Sequence, residues 1–133
     1  MPAILIVEDQ VDCAKALAAV CQFHGCESVV ARDVLTALTR LAERVFDLVI
    51  TDVHLPGTSG IDFCRILCSA PADQVVLPVV VFSSDDLARE ASLEAGAIAF
   101  YLKGRDVLAV FALIRRCGRS APLMHSPGSE RLN

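Results

Sequence analysis

Five short aliphatic runs recur along this chain, each of strand length: Ala3 to Val7, Ser28 to Ala31, Leu48 to Thr51, Val79 to Phe82 and Ile98 to Leu102. The first, third and fourth are almost continuously aliphatic instead of alternating, as in strands buried on both faces of a parallel sheet. Between the runs lie segments with apolar residues three and four apart: Val11, Ala14, Leu17, Ala18 and Cys21; then Val34, Ala37, Leu38 and Leu41; then Ile61, Cys64, Leu67 and Cys68. That spacing predicts amphipathic helices. A fourth, less regular helix is predicted around Asp86 to Ala95, and a fifth, apolar nearly all round, around Asp106 to Cys117. Asp33, Ser59 and Asp86 suit helix starts, and Gly25, Gly96 and Gly118 suit helix ends. The prediction is an α/β fold of (βα)5 type, a parallel sheet with right-handed crossovers and helices on both faces. In such a sheet the ligand crevice lies beyond the carboxyl ends of the strands.

The 133 residues match one domain with its own core. With 54% hydrophobic and 21% charged residues, the chain is too apolar for disorder and too broken by charge for a membrane span. No basic leader or cleavage site follows Met1, so the expected compartment is the cytoplasm. A formal charge of -4 with no basic stripe argues against nucleic acid and leaves proteins as the expected partners. The six cysteines form no C-x-x-C pair and sit among apolar residues, so they are expected to be buried thiols; Cys64 and Cys68 lack a second ligand pair at zinc spacing. The expected domain is 1–118. From Arg119 to Asn133, Ser, Pro, Gly and charge mix without periodicity, which predicts a flexible tail.

The residues that follow the strands carry the chemistry: Glu8 and Asp9 after the first, Asp52 after the third, Ser83 and Ser84 after the fourth, Lys103 after the fifth. All converge on one rim. Three carboxylates brought together repel, so they need a hard divalent cation between them or a shared proton. Magnesium suits such oxygen donors, and a lysine and a hydroxyl opposite would hold the remaining oxygens of a phosphoryl group. Asp52 is then the nucleophile.

Val7-Glu8-Asp9, the run Thr51-Asp52-Val53-His54-Leu55-Pro56-Gly57-Thr58-Ser59-Gly60, Phe82-Ser83-Ser84, and Ala95-Gly96-Ala97 through Lys103 resemble the motifs of response-regulator receiver domains over roughly residues 3 to 117. The resemblance implies the flavodoxin-like strand order 2-1-3-4-5, the doubly wound order of chemotaxis receivers. It implies that Glu8, Asp9, Asp52 and the backbone carbonyl of His54 hold Mg2+, that Asp52 accepts a phosphoryl group, and that Ser83 and Lys103 bind its oxygens. By the same resemblance, Phe100 is an aromatic switch that turns inward when Ser83 moves, and His54 tunes the lifetime of the phosphorylated state. The implied donor is a histidine kinase or a histidine phosphotransfer protein, and the implied output is binding to a downstream protein by a stand-alone regulator.

Three features depart from the family pattern. Gly104 stands where proline usually follows the lysine, so the peptide bond there either relaxes to trans or stores strain. The stretch from Ser83 to Gly96 looks about two residues short, which trims the fourth helix or its entry. Every residue from Val107 to Ile114 is apolar. With Val107, Phe111 and Ile114 taken as the inward stripe, Leu108, Val110 and Leu113 are left at the flanks as an expected partner or homodimer surface. Two other functions are weighed. A degenerate receiver acting only as an interaction module conflicts with the intact acids, serine and lysine. A magnesium-dependent aspartyl phosphatase conflicts with His54, which stands where such enzymes carry a second acid, and with a chain too short for a substrate cap. The domain is therefore expected to act as a phosphoacceptor and not as an enzyme.

Overall fold

The computed structural model describes residues 1–69 and 77–125. Five parallel strands lie in the order β2-β1-β3-β4-β5: β1 Ala3–Val7, β2 Glu27–Ala31, β3 Leu48–Thr51, β4 Val79–Ser83 and β5 Ala99–Leu102. The helices are α1 Val11–Phe23, α2 Val34–Glu43, α3 Gly60–Cys68, α4 Arg89–Glu94 and α5 Val107–His125. The fold is the (βα)5 arrangement that the alternation of patterns predicts, in the flavodoxin-like strand order that the resemblance implies.

The continuous aliphatic runs have the predicted cause. Strands β1, β3 and β4 are buried at every residue. Ala3, Leu5 and Val7 join Val49, Val79 and Val81 in one core beneath α2 and α3. Ile4 and Ile6 join Leu48, Ile50, Val80 and Phe82 in a second core beneath α1 and α5. A period of two in each strand thus feeds two cores, one per face. The edge strand β2 exposes Glu27 and Val30 and reads less clearly in the sequence for that reason.

Side-chain caps set the starts of α2 and α3. Asp33 caps α2 by accepting from the Thr36 N–H at 2.8 Å, and Ser59 caps α3 by accepting from the Asp62 N–H at 3.1 Å. The short fourth helix takes the trimmed form expected of it. Asp85 caps a single 3-10 turn, Asp86–Ala88, and α4 then runs for only 6 residues.

Two expectations about α5 are corrected. Val110 is not on a flank; it is fully buried with Ile114, four residues on, in the core against α1 and the sheet. The inward stripe is rotated by about one residue from the predicted one, and Leu113 is only partly buried against the same core. Leu108 alone of the three proposed surface residues stands clear, at 79% exposure. Gly118 does not end the helix, which continues to His125. A side chain at position 118 would overlap the carbonyl oxygen of His24, so glycine is what lets α5 lie against the α1–β2 turn. The helix therefore takes up residues 119–125 of the expected tail, and residues 126–133 lie outside the described residues. No helix among the described residues is long and apolar enough to cross a membrane. All six cysteines are free thiols, three buried and three half-buried.

Candidate phosphoryl-transfer site

The strand order reverses between β1 and β3, which opens a crevice at their carboxyl ends. Glu8 and Asp9 leave β1 there and Asp52 leaves β3. Oxygen atoms of the three carboxylates lie within 4.8 Å of one another. Glu8 and Asp52 are buried and Asp9 is half-exposed. Unscreened charges at this range in a partly dry crevice repel strongly, so the cluster requires a counter-charge.

Lys103, from the end of β5, supplies it. Its Nζ donates to Glu8 Oε1 at 2.8 Å, to Asp52 Oδ2 at 2.9 Å and to Gln10 Oε1 at 3.2 Å. The ammonium also lies 5.8 Å from the centre of the Phe82 ring. Burial pulls the lysine pKa down, but the hydrogen bonds and charges of Glu8 and Asp52 outweigh it and leave the group above its usual value. The backbone holds the lysine at this height, since the Lys103 N–H donates to the Ser83 carbonyl at 2.9 Å. The Lys103–Gly104 bond is trans, as are all peptide bonds among the described residues, and Gly104 takes φ +88°.

Asp52 is held as closely. Its Oδ1 accepts from the Val53 N–H at 2.6 Å, and its carbonyl accepts from the Thr51 hydroxyl at 2.8 Å. Gly60, eight positions further on, opens α3 directly against this segment: its N–H donates to the Val53 carbonyl at 2.8 Å, and a Cβ there would overlap the Asp52 carbonyl oxygen.

Ser83 is fully buried at the end of β4, and its hydroxyl accepts from the Asp85 N–H at 3.2 Å. His54 is exposed, and its Nε2 lies 2.8 Å from Asp85 Oδ2, so a contact bridges the loop after β3 and the loop after β4. Phe100 is already turned inward, 6% exposed, beneath the Arg89 guanidinium at 4.7 Å from the ring centre. Arg89 is itself paired with Asp86 at 2.8 Å.

The structure brings together Glu8, Asp9, Asp52 and Lys103 as the strand-end pattern predicts. Three contributors were missed: Gln10 at the lysine, Asp85 at His54, and Gly60 under Asp52. Only Gly60 left a usable signal, as a glycine at the expected start of α3. The donor set suits a small hard cation, because it offers carboxylate oxygens and no nitrogen or sulfur ligand. Both Glu8 oxygens already accept hydrogen bonds, from Lys103 and from the Gln10 N–H at 3.1 Å, yet each keeps a second lone pair for a metal.

A parallel five-stranded sheet with an acid cluster and a bridging lysine at its switch point defines a signalling domain of the receiver class. Residues 4–115 match the response regulator receiver domain model. The DNA-binding response regulator MtrA of Mycobacterium tuberculosis is 37% identical over 102 residues, covering 75% of this chain and 43% of MtrA. The chain thus spans less than half the length of that relative. The sensory transduction protein RegX3 of the same species is 32% identical over 122 residues, 89% of this chain and 53% of RegX3. Among solved structures, the BeF3-activated receiver domain of Klebsiella pneumoniae RstA superposes with a TM-score of 0.75 at 31% identity, covering 88% of this chain and 98% of that one. The chain belongs to the response regulator receiver domain family of two-component signalling.

Proposed function

We propose that this domain accepts a phosphoryl group on Asp52 from a histidine kinase or a histidine phosphotransfer protein and signals through its protein-binding surface. The observation that carries this reading is the Lys103 ammonium seated between Asp52 and Glu8 at the switch point. An Asp52 carboxylate oxygen bonds to phosphorus as the phosphorus–nitrogen bond of phosphohistidine breaks; the electron pair leaves with the imidazole, which takes up a proton from solvent. Lys103 and the Ser83 hydroxyl then bind the phosphoryl oxygens; the hydroxyl accepts from the Asp85 N–H and so has its own O–H free to donate.

Glu8, Asp9, Asp52 and the backbone carbonyl of His54 would hold Mg2+, which supplies neutralisation of the phosphoryl charge when bound. The Thermotoga maritima response regulator TrrA, which shares the fold, has been solved in complex with Mg(2+)-BeF, in agreement with this assignment. His54 and Asp85 close the rim between two loops and so restrict water, which gives His54 its role in lifetime. Arg89 and Phe100 lie at the far end of the Asp85–Asp86 turn from Ser83, so a shift of that turn reaches the β5 surface. Leu108, exposed on α5 beyond that strand, suits a protein contact, either a downstream target or a second copy. The charge balance favours a protein target, in keeping with a cytoplasmic signalling role.

The test is incubation with acetyl phosphate, with and without Mg2+, followed by intact mass. One added phosphoryl group that requires the metal supports the reading; no addition overturns it.

A further inference from the structure

Gln10 stands at the N-cap of α1, its carbonyl accepting from the Ala14 N–H at 3.0 Å. That position favours Ser, Thr, Asp or Asn because a short side chain can satisfy the free N–H groups of the first turn. The Gln10 side chain makes no such cap bond. It reaches instead to Lys103 Nζ, while its own N–H is fixed on Glu8 Oε2 at 3.1 Å.

An ammonium has three N–H donors, and Lys103 has three acceptors around it: Glu8, Asp52 and Gln10. Two of the three change during signalling. Asp52 loses its carboxylate charge on becoming an acyl phosphate, and Glu8 belongs to the cluster that would share charge with a cation. The Gln10 amide is neutral at every pH of interest and lies outside the acid cluster. Neither metal binding nor phosphorylation changes the charge of this acceptor.

We propose that Gln10 is a positioning residue that holds the Lys103 ammonium at the rim of the site while its carboxylate partners exchange. Without it, two anions alone set the ammonium's place, and it follows whichever carries more charge. With it, the donor that must meet the incoming phosphoryl oxygens stays poised at the mouth. The inference rests on Asp52 being the phosphoacceptor and adds to that reading a residue outside the acid, serine and lysine set.

The experiment compares wild type with Gln10→Ala and Gln10→Ser at saturating acetyl phosphate, following intact mass over time, with Mg2+ half-saturation and thermal midpoint measured on the same samples. Serine suits the N-cap but is too short to reach Lys103, so it separates helix capping from positioning. The expected result is a maximal phosphorylation rate lowered about three- to tenfold in both variants, the loss of one solvent-exposed hydrogen bond. Mg2+ half-saturation should stay unchanged, and Gln10→Ser should be at least as thermostable as wild type. Uptake by Gln10→Ser at the wild-type rate, or slowing explained by weaker Mg2+ binding, overturns the inference. A wild type that takes up no phosphoryl group fails the underlying reading and carries the inference down with it, so the two failures are told apart.

Discussion

The ammonium of Lys103 lies 2.9 Å from Asp52 Oδ2 although 51 residues separate the two in the chain. Among the described residues it bridges Asp52 and Glu8, at a point where three carboxylates crowd together. Lys103→Ala should therefore fold but lose about 1–3 kcal/mol near neutral pH in chelator, a buried-pair loss discounted for the lysine's partial exposure. Mg2+ should narrow the deficit, since a cation among the unpaired carboxylates offsets their charge. Because pairing raises the lysine's folded pKa above 10.5, its contribution is complete below that pH and disappears only as the pH rises through the higher folded value. Urea denaturation with and without Mg2+ at several pH values checks this. Lys103→Ala should also accept the phosphoryl group without the full change in partner affinity.

Most of this arrangement was legible because a parallel sheet announces itself. Strands buried on both faces must be aliphatic throughout, and residues just past their carboxyl ends must meet at one rim, so Glu8, Asp9, Asp52 and Lys103 could be placed from the pattern alone. The phase of α5 could not be read from Val107 to Ile114, where every residue is apolar and no face is marked. Arg115 and Arg119, seven and eleven residues after Leu108, are exposed and mark the outward side of the same helix; counted back, they put Leu108 outside and Val110 within. Gln10 and Asp85 were hidden for another reason: each looks like an ordinary loop residue until a long-range partner is known.

His54 and Asp85 join two loops at the mouth of the site. His54→Ala and Asp85→Ala should each open that mouth and shorten the lifetime of phospho-Asp52 several-fold; His54→Ala should cost little stability because its ring is exposed, whereas Asp85→Ala also loses the cap of the 3-10 turn, about 0.5–2 kcal/mol. Decay of the phosphorylated mass after removal of donor measures it. Unchanged decay in both variants would make the contact a bystander.

Gly60 permits the start of α3 to press on the Asp52 carbonyl. Gly60→Ala should cost about 1–3 kcal/mol by overpacking, and should slow phosphorylation because the segment that must shift carries the nucleophile. Chemical denaturation and phosphorylation rate should fall together. A variant of wild-type stability would contradict the close approach.

Leu108 projects from the outward side of α5. Leu108→Glu should leave folding unchanged and weaken association with a partner or a second copy, whereas Val110→Glu should unfold the domain by placing a charge in the core. Sedimentation with and without phosphodonor, beside thermal melts, separates the two. A Leu108→Glu protein that associates as wild type does would remove α5 from the interface.

The central claim is that Asp52 is the phosphoacceptor, and the direct measurement is the site of the label. Wild type and Asp52→Asn are treated with acetyl phosphate and Mg2+, the acyl phosphate is trapped by borohydride reduction, and the position of the reduced residue is read by peptide mass spectrometry. The account predicts modification at residue 52 in wild type and none in Asp52→Asn. Equal labelling of the variant, or a wild-type label on Glu8 or Asp9, would contradict it.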